Sequence, residues 1–247
     1  MTPAGGALAG QTVVVLGGSA GIGLATARLA RAEGAGVVLT ARNRDRLRRA
    51  ADEAGAERTV AFDAHDPGRL EAFFADLRTP VDHVLVTAGA PHYGPLLEMD
   101  AAELTRGLGE HLVLAVQVAR CAVGRVRPGG ALLLIGGTGG RRIGLGMGLA
   151  SAVTAALPPL TASLALELAP IRVNLIAPGF VDTPLSAAIL GDGLDARRDQ
   201  LRATLPIGRV VTADDVAALA VHIMTNTALT GATYDIDGGQ QFVTTAT

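Results

Sequence analysis

A short apolar run that ends in a glycine-rich turn constrains the fold more than any other part of the sequence. Residues 13–16 are three valines and a leucine, which is typical of a buried strand. From Leu24 to Glu33 the apolar spacing is typical of an amphipathic helix. A strand that leads through glycines into a helix leaves free backbone N–H groups and the positive end of the helix dipole facing an anion. The segment therefore predicts a dinucleotide site, and the alternative is an ordinary tight turn.

The glycines of this turn have separate predicted roles. Gly17 permits the turn, Gly21 allows the backbone to approach the phosphates, and Gly23 allows the helix and the strand to pack closely. The residues of the turn predicted to bind the cofactor are Gly17, Ser19, Ala20, Gly21 and Ile22.

Strand-like and helix-like segments alternate along the remaining sequence. The predicted strands are residues 37–40, 59–62, 81–86, 131–135, 171–176 and 233–236. The predicted helices are residues 43–55, 67–77, 101–123, 147–168 and 213–224. This alternation predicts an α/β fold with a doubly wound parallel sheet, similar to a Rossmann fold. No linker or repeat divides the chain, so residues 1–247 are predicted to form a single domain with a substrate lid at about residues 180–207.

Composition and charge narrow the class of protein. With 49% hydrophobic and 18% charged residues, the chain fits a sheet that is covered on both faces. A formal net charge of -2 indicates no general attraction to nucleic acid or to an anionic membrane. We expect no secretory signal in residues 1–10 and no segment with the unbroken apolar length of a membrane helix. The single Cys121 excludes an internal disulfide and fits a reducing compartment, so we expect a cytoplasmic protein.

The strongly basic residues are all of one type. All 21 are arginine, and the sequence contains no lysine. Because the guanidinium group stays protonated, arginine is a poor proton donor or base. This chain therefore cannot use a catalytic mechanism that requires a lysine.

The end of the second predicted strand bears on which dinucleotide binds. In a dinucleotide-binding fold an acidic residue there binds the ribose 2′-hydroxyl of NAD, whereas an arginine accommodates the 2′-phosphate of NADP. The chain has no carboxylate at this point and has Arg42, which can pair with phosphate in bidentate fashion. We therefore predict NADP(H), bound in part by Arg42 and Asn43. The alternative is that Arg42 only caps an arginine-rich surface helix.

Taken in order, these motifs and several later ones resemble the short-chain dehydrogenase/reductase family over essentially the whole chain. The matching segments are Gly17 with residues 21–23, Asp63, Ala88 with Gly89, residues 165–174, residues 178–183, and residues 230–231 with 237–239. The resemblance implies the doubly wound fold of that family and a nicotinamide cofactor.

The resemblance also implies where the cofactor binds. Asp63 is expected to bind the adenine edge, with Ala64 beside it. Ala88 and Gly89 are expected to line the adenosine ribose. The residues expected to hold the nicotinamide are Pro178, Gly179, Val181 and Thr183. Two alternatives stay open: Asp63 as a turn or helix-capping carboxylate, and Thr183 as the N-cap of the helix that follows.

The catalytic pattern of the family does not carry over. The family uses a tyrosine that gives a proton to the substrate oxygen, a lysine four residues later, a serine upstream and often an asparagine in the preceding long helix. At these positions the chain has Ala150, Thr154, Gly137 and His111. A free phenol has a pKa of about 10, and the lysine charge is what lowers it. The resemblance therefore implies a divergent member without the usual Ser-Tyr-Lys set.

Other residues near the expected active site can replace the missing groups. His111 and Tyr93 are candidate proton donors, and Thr138 is a candidate hydrogen-bond donor to a substrate oxygen. Arg141 and Arg142 can bind a carboxylate or a phosphate on the substrate. The alternatives are that Tyr93 packs its loop, that His111 is a structural helix residue, and that the two arginines form a solvated patch.

No metal site is predicted from the remaining histidines. His65, His83 and His222 are too scattered in the sequence to indicate one. His92 lies beside Tyr93 and is a further group that titrates near neutral pH.

Two consecutive prolines, Pro158 and Pro159, fall inside the predicted helix at residues 147–168. A proline inside a helix costs about 3 kcal/mol, so this helix is expected to be kinked or to restart at Pro158. The resemblance places this helix in a subunit interface, and we expect a homodimer or a homotetramer.

Two functions fit these residues. The first is an NADP(H)-dependent oxidoreductase that acts on a carbonyl, hydroxyl or enone group of a small hydrophobic substrate, with a non-standard proton donor. The second is a non-redox protein on the same scaffold (an isomerase, cyclase, dehydratase or ligand sensor) in which NADP(H) is structural or absent. The set of cofactor-binding residues favours the first.

Overall fold

The computed structural model describes residues 5–77 and 79–243. Its strands are β1 Thr12–Leu16, β2 Gly36–Ala41, β3 Arg58–Ala61, β4 Val81–Val86, β5 Val126–Ile135, β6 Arg172–Pro178, β7 Val181–Asp182, β8 Val211–Thr212 and β9 Thr233–Ile236. Seven of them form one parallel sheet in the order β3-β2-β1-β4-β5-β6-β9, and β7 pairs with β8. The predicted doubly wound parallel sheet is confirmed.

Helices cover both faces of this sheet. They are α1 Gly21–Ala32, α2 Arg44–Ala54, α3 Pro67–Ala75, α4 Ala101–Leu108, α5 Leu114–Ala122, α6 Gly148–Glu167, α7 Pro184–Leu190, α8 Leu194–Thr204 and α9 Ala213–Thr225. Because successive side chains of a strand point to opposite faces, Val14 and Leu16 pack with α3, α5 and α6. Val13 and Val15 pack with α1, α2 and α9 on the other face. The central strands are therefore buried on both sides, which explains their unbroken apolar runs.

The strand order reverses between β1 and β4. The chain moves outward from β1 through β2 to β3, and then returns to the opposite side of β1 as β4. Such a reversal leaves a crevice at the carboxyl ends of the two strands, where open α/β sheets bind their ligands. The glycine turn after β1 and residues 87–89 after β4 both lie at this edge.

The helix predicted at residues 101–123 is interrupted in the structure. A π-helical turn, Gly109–Val113, separates α4 from α5. Such turns are rare and occur frequently at functional sites. Glu110 and His111 both lie in this turn, so the phase of a regular helix does not give the directions of their side chains.

Helix α6 continues through Pro158 and Pro159 without interruption, so the expected restart at Pro158 is wrong. The helix presents Leu157 and Leu164 to the core, where they are 1% and 6% exposed. Burial of each leucine stabilises the fold by about 1.5–3 kcal/mol. A proline in a helix interior costs about 3 kcal/mol, so the burial of these two leucines is of the same order as the cost of the two prolines.

Helix α6 also bears on the expectation about membranes. It is long and apolar enough to cross one by length and composition, with a mean hydropathy of 1.5 in an 18-residue window. The expectation that no segment has this length is therefore wrong. One such helix is weak evidence for a membrane span, because core helices pass the same test and α6 contributes Leu157 and Leu164 to the core.

Other differences concern segment ends and the predicted lid. Helix α1 begins at Gly21 rather than at Leu24, so its N-terminus lies within the glycine turn. Strand β5 begins at Val126, before the predicted start at residue 131. The lid segment contains β7, α7 and α8, and the guanidinium of Arg198 on α8 donates to both carboxylate oxygens of Asp182 at 2.9 and 2.7 Å. This ion pair fastens α8 to β7.

Candidate active site

A cavity of about 840 Å³ opens at the carboxyl ends of the central strands. Its walls come from the glycine turn after β1, from residues 87–93 after β4, and from the loop after β5. The segment that follows β6 and one residue of α8 close the other side. This is the edge where α/β sheets bind ligands, so we take the cavity as the candidate active site.

The glycine turn approaches its neighbours too closely to hold larger residues. A Cβ atom on Gly17 would lie 2.6 Å from Oγ1 of Thr87, and one on Gly23 would lie 2.5 Å from the carbonyl oxygen of Gly17. Gly17 also has a φ angle of +98°, which favours glycine. The hydroxyl of Thr87 donates to the carbonyl oxygens of Leu16 and Gly17, both at 3.1 Å. The turn is therefore tied to the end of β4.

Helix α1 reaches the cavity with an uncapped N-terminus. Its N-cap residue, Ala20, has no side chain that accepts a hydrogen bond, and its first turn contains no acidic residue. By contrast, α2, α3 and α7 are capped by Asn43, Asp66 and Thr183. The first N–H groups of α1 and the positive end of its dipole are therefore available to an anion. These features fit the phosphates of a dinucleotide.

The cavity brings together most of the residues predicted to bind a cofactor. Those that line it are Gly17, Ala20, Gly21, Ile22, Ala88, Gly89, Pro178, Gly179, Val181 and Thr183. Those that lie outside it are Ser19, Arg42, Asn43, Asp63 and Ala64. Most of the second group follows β2 and β3, so these residues lie on the outer side of the glycine turn.

The residues predicted to meet the adenosine end already have protein partners, except Arg42. Asn43 accepts a hydrogen bond from the N–H of Arg46 at 2.9 Å, so Asn43, and not Arg42, caps α2. Asp63 accepts a hydrogen bond from the N–H of His65 at 3.0 Å. Burial raises the pKa of Asp63, but its bonds to His65 and the charges of His65 and Arg42 outweigh burial and lower it. Arg42 itself is exposed and makes no ion pair within residues 5–77 and 79–243.

Thr183 makes two contacts that match its two possible roles. Its Oγ1 accepts a hydrogen bond from the N–H of Ser186 at 3.3 Å, so the capping role is confirmed. Its Cβ and Cγ2 lie 3.4 Å from the place of a Cβ atom on Gly21. Thr183 therefore also packs against the glycine turn, where a nicotinamide contact stays a prediction.

The three predicted catalytic residues all line the cavity. Nε2 of His111 lies 3.5 Å from the place of a Cβ atom on Gly89, and burial lowers the pKa of His111 below its usual value. Tyr93 is half-exposed, and partial burial raises the pKa of its phenol. Thr138 is 3% exposed, and its hydroxyl has no hydrogen-bond partner among the described residues. Thr138 is therefore free to bond a ligand.

An imidazole–carboxylate pair lies beside the cavity: His92 lines the cavity, whereas Glu110 does not. Nε2 of His92 lies 3.2 Å from Oε1 of Glu110, and Oε2 of Glu110 accepts a hydrogen bond from the N–H of Ala90 at 3.1 Å. Burial raises the pKa of Glu110, but the bond from Ala90 and the nearby His92 and His65 outweigh it, so the pKa is lowered. In the described part of the chain, Nε2 of His92 is buried and makes no well-aligned hydrogen bond. Its nearest charge is therefore Glu110.

Sequence reasoning did not find this pair. His92 was visible only as a neighbour of Tyr93, and Glu110 only as a charge beside His111. The two residues are far apart in the chain, and the loop after β4 and the π-helical turn bring them together. No spacing in the sequence indicates that contact.

The two arginines predicted to bind the substrate have different surroundings. Arg141 is paired with Asp235 and also donates to Oε1 of Gln241 at 2.9 Å. Arg142 lines the cavity. Arg197 of α8 lines it as well, with its guanidinium carbon 6.0 Å from the ring centre of Phe180. Arg197 was not predicted, because only the fold brings α8 to the cavity.

Two other histidines are engaged in structural bonds. His83 is buried, bonds Gln11 at 2.7 Å and accepts a hydrogen bond from the N–H of Ala131 at 3.2 Å. Burial and the charge of Arg172 lower its pKa to about 4. His65 bridges Asp63 and the main chain of the π-helical turn. No group of three or more His, Cys, Asp or Glu side chains that could hold a metal occurs in residues 5–77 and 79–243.

Comparison with known proteins places this architecture in a family. The family model described as enoyl-(acyl carrier protein) reductase matches residues 17–241. The short-chain dehydrogenase/reductase ATR9 of Stachybotrys chlorohalonatus is 29% identical over 253 residues, which cover 93% of this chain and 96% of ATR9. The chain is a short-chain dehydrogenase/reductase. The resemblance predicted from the motifs is confirmed.

Two further proteins are similar to this short-chain dehydrogenase/reductase along nearly their full lengths. The cyclic-di-GMP-binding biofilm dispersal mediator protein of Escherichia coli is 32% identical over 241 residues, which cover 94% of this chain and 98% of that protein. The crystal structure of BdcA in complex with NADPH has a TM-score of 0.84 and 31% identity, and covers 94% of this chain and 95% of BdcA.

In this short-chain dehydrogenase/reductase, small residues occupy the two positions that the sequence predicts for the family's tyrosine and lysine. Ala150 is buried and lines the cavity, and Thr154 one turn later donates its hydroxyl to the carbonyl oxygen of Ala150 at 2.8 Å. Cγ2 of Thr154 lies 3.4 Å from the place of a Cβ atom on Gly137. These positions supply neither a phenol nor an ammonium group.

Proposed function

We propose that the chain is an NADP(H)-dependent oxidoreductase that reduces or oxidises a carbonyl, hydroxyl or enone group of a small hydrophobic molecule. We also propose that it is a divergent member of its family with a non-standard proton donor. The observation that carries the proposal is the uncapped N-terminus of α1, which opens into the same cavity as His92, His111 and Thr138. The similarity to BdcA in complex with NADPH supports the choice of cofactor.

The proposed cofactor site extends along the sheet edge from β3 to β6. The glycine turn and the first N–H groups of α1 bind the pyrophosphate, and Arg42 with Asn43 binds the 2′-phosphate. Asp63 and Ala64 meet the adenine. The residues proposed for the ribose and the nicotinamide are Ala88, Gly89, Pro178, Gly179, Val181 and Thr183.

The proposed chemistry divides between cofactor and protein. When bound, NADPH supplies a hydride to the substrate carbon, and a proton must then reach the substrate oxygen. The hydroxyl of Thr138 donates a hydrogen bond to the substrate oxygen, because none of the described residues is a hydrogen-bond partner of this hydroxyl. His92 gives the proton, because it lines the cavity and its Nε2 lies 3.2 Å from the carboxylate of Glu110.

His111 and Tyr93 have lesser roles in this proposal. The lowered pKa of His111 keeps its ring neutral at pH 7, so it can pass a proton on but does not hold a spare one. The raised pKa of Tyr93 makes it a weaker proton donor than an imidazolium. Tyr93 closes the mouth of the cavity, where it is half-exposed.

The test is turnover by the purified chain. NADPH oxidation is followed with a panel of ketones, quinones and enones, after NADPH binding has been measured by fluorescence titration. We expect saturable NADPH binding and turnover of at least one compound. Tight NADPH binding with no turnover of any compound would overturn the redox proposal.

A non-redox ligand sensor is the second candidate. Two observations favour it: the small residues Ala150 and Thr154 at the family's catalytic positions, and the similarity to an Escherichia coli protein named for cyclic-di-GMP binding. Fold does not determine chemistry, so the same cavity can serve recognition alone. Binding without turnover, as described above, is the result that this candidate predicts.

We also propose a cytoplasmic homodimer or homotetramer that binds neither nucleic acid nor membranes. Leu166 on α6 is 83% exposed, which fits a helix face that a second subunit covers. Light scattering after size exclusion tests the subunit number, and a monomer would contradict it.

A further inference from the structure

The cavity carries positive charge that no acidic residue lining it balances, within the part of the chain that the structure describes. Arg142 follows the short helical turn Thr138–Arg141 after β5, and Arg197 lies on α8. Both line the cavity. Among the described residues that line it, none is an aspartate or a glutamate.

The neighbouring arginines, by contrast, are paired. On either side of the two cavity arginines, Arg141 pairs with Asp235, Arg198 with Asp182 and Asp195, Arg202 with Asp199, and Arg209 with Asp215. Neither Arg142 nor Arg197 has an ion pair in the described part of the chain. Among the described residues, Arg142 and Arg197 therefore differ from these neighbouring arginines, because neither has an acidic partner.

Burial and like charge raise the free-energy cost of leaving these two guanidinium groups without an anion. Burial lowers the pKa of Arg197, and the charge of Arg142 lowers it further. Among the described residues, the partners of Arg197 are the side-chain oxygen of Gln200, at 2.7 Å, and the face of Phe180. An anion between the guanidinium groups would relieve the repulsion and satisfy their free N–H donors.

This site is separate from the one for the cofactor phosphates. The glycine turn follows β1, whereas Arg142 follows β5, and β4 lies between those strands. The main chain of Arg142 is bonded to α6, where the hydroxyl of Ser151 donates to its carbonyl oxygen at 3.3 Å. Thr138 and Ala150 line the same cavity as the two arginines.

We propose, on the basis of the proposed function, that the substrate is an oxo or hydroxy compound with an apolar body and an oxyanion group, bound by Arg142 and Arg197. Met147, Leu149 and Leu185, which line the same cavity, contact the apolar body. The guanidinium groups hold the oxyanion, a carboxylate or a phosphate ester, and orient the reacting carbon toward Thr138.

The experiment uses matched probes with the NADPH-saturated protein. Calorimetry measures the Kd of a medium-chain oxo carboxylic acid, of its methyl ester, and of an oxo alkyl phosphate of the same length. We expect at least one of the two anions to bind about tenfold or more tightly than the ester. The tighter of the two identifies the oxyanion as carboxylate or phosphate. Equal affinity for the ester and both anions would overturn the proposal, and this comparison needs no variant.

Variants then assign the effect to the two residues. R142Q and R197Q are each expected to weaken anion binding about tenfold while the Kd of the ester is unchanged. R202Q is the matched control, because Arg202 lies on the same helix as Arg197 and outside the cavity. Unchanged anion binding in both variants would contradict the assignment.

The cofactor measurement separates this proposal from the proposed function. R142Q and R197Q are expected to leave the Kd of NADPH unchanged, and a raised Kd would instead assign the arginines to the cofactor and overturn the inference. If anions bind selectively and nothing is turned over, the oxyanion site stands and the redox proposal fails. If turnover occurs without selectivity for anions, the redox proposal stands and the oxyanion site fails.

Discussion

Nε2 of His92, a residue that lines the cavity, lies 3.2 Å from Oε1 of Glu110. The carboxylate is fixed from its other side, because Oε2 of Glu110 accepts the N–H of Ala90. A carboxylate fixed beside an imidazole can orient the ring for proton transfer to an oxygen. We propose His92 as the proton donor, with Glu110 as its partner.

The first prediction concerns Glu110. Glu110→Gln removes the carboxylate charge beside His92, so kcat should fall at least about tenfold. The Kd of NADPH should not change. Glu98→Gln, at an exposed acidic residue outside the cavity, is the control. Wild-type kcat in Glu110→Gln would remove the pair from the mechanism.

The pH dependence of the same step follows from the direction of the Glu110 pKa. Because that pKa lies below its usual value, the carboxylate stays ionised through the weakly acidic range. Activity should therefore be kept as the pH falls toward the ordinary carboxylate range, and be lost only below it. An activity loss already centred on the ordinary pKa of glutamate, about 4.3, would contradict this expectation.

The second prediction concerns Gly23. A Cβ atom there would lie 2.5 Å from the carbonyl oxygen of Gly17, so the glycine turn must shift in Gly23→Ala. NADPH affinity measured by fluorescence titration should fall by at least about tenfold, since the turn no longer presents its N–H groups to the phosphates. Gly193→Ala is the control, because a Cβ atom at Gly193 meets nothing within 4 Å. Equal affinity in both variants would rule out the turn as the phosphate site.

The third prediction concerns His83 and stability. The pKa of His83 is about 4 in the folded protein, against 6.5 for a free histidine. Between these values the unfolded chain binds a proton that the folded chain does not, so the free energy of unfolding falls as the pH falls from 6.5 to 4. The loss is about 3 kcal/mol.

Urea unfolding at several pH values measures this effect. His83→Gln removes the titrating group, so its free energy of unfolding should depend less on pH over the same range. An equally steep dependence in the variant would show that other groups cause it.

How far the sequence predicts the structure depends on the range of the interactions. The glycine turn, the alternation of strands and helices, and the family can be predicted from the sequence because β1, the turn and α1 are contiguous. The strand order β3-β2-β1-β4-β5-β6-β9 then follows from the connections. The N-caps Asn43, Asp66 and Thr183 are also local, since each bonds an N–H three residues later.

The features that the sequence did not predict depend on contacts between segments that are distant in the chain. His92 meets Glu110 through a loop and a π-helical turn whose geometry no local pattern encodes. Arg197 reaches the cavity only because Arg198 fastens α8 to Asp182. The prolines of α6 were expected to kink the helix or to restart it at Pro158, but the helix runs on through both prolines with Leu157 and Leu164 in the core.

The fourth prediction concerns Arg172, which is 6% exposed. Its guanidinium donates to main-chain oxygens of five residues around the end of α9 and the start of β5: Gly129, Ile223, Met224, Asn226 and Leu229. Arg172→Met leaves these buried acceptors without donors, so the free energy of unfolding should fall by about 3 kcal/mol or more. Arg120→Met, at an exposed position on α5, is the control. Equal stability of the two variants would contradict a bonding role for Arg172.

The central claim is that the cavity holds a dinucleotide with a phosphorylated ribose. Its most direct test is a titration of the purified chain with NADPH and, separately, with NADH. We predict saturable binding of NADPH with an affinity at least about tenfold higher than that for NADH. We also predict that Arg42→Ala loses most of this preference. Absence of saturable NADPH binding, or equal affinity for the two cofactors, would contradict the claim.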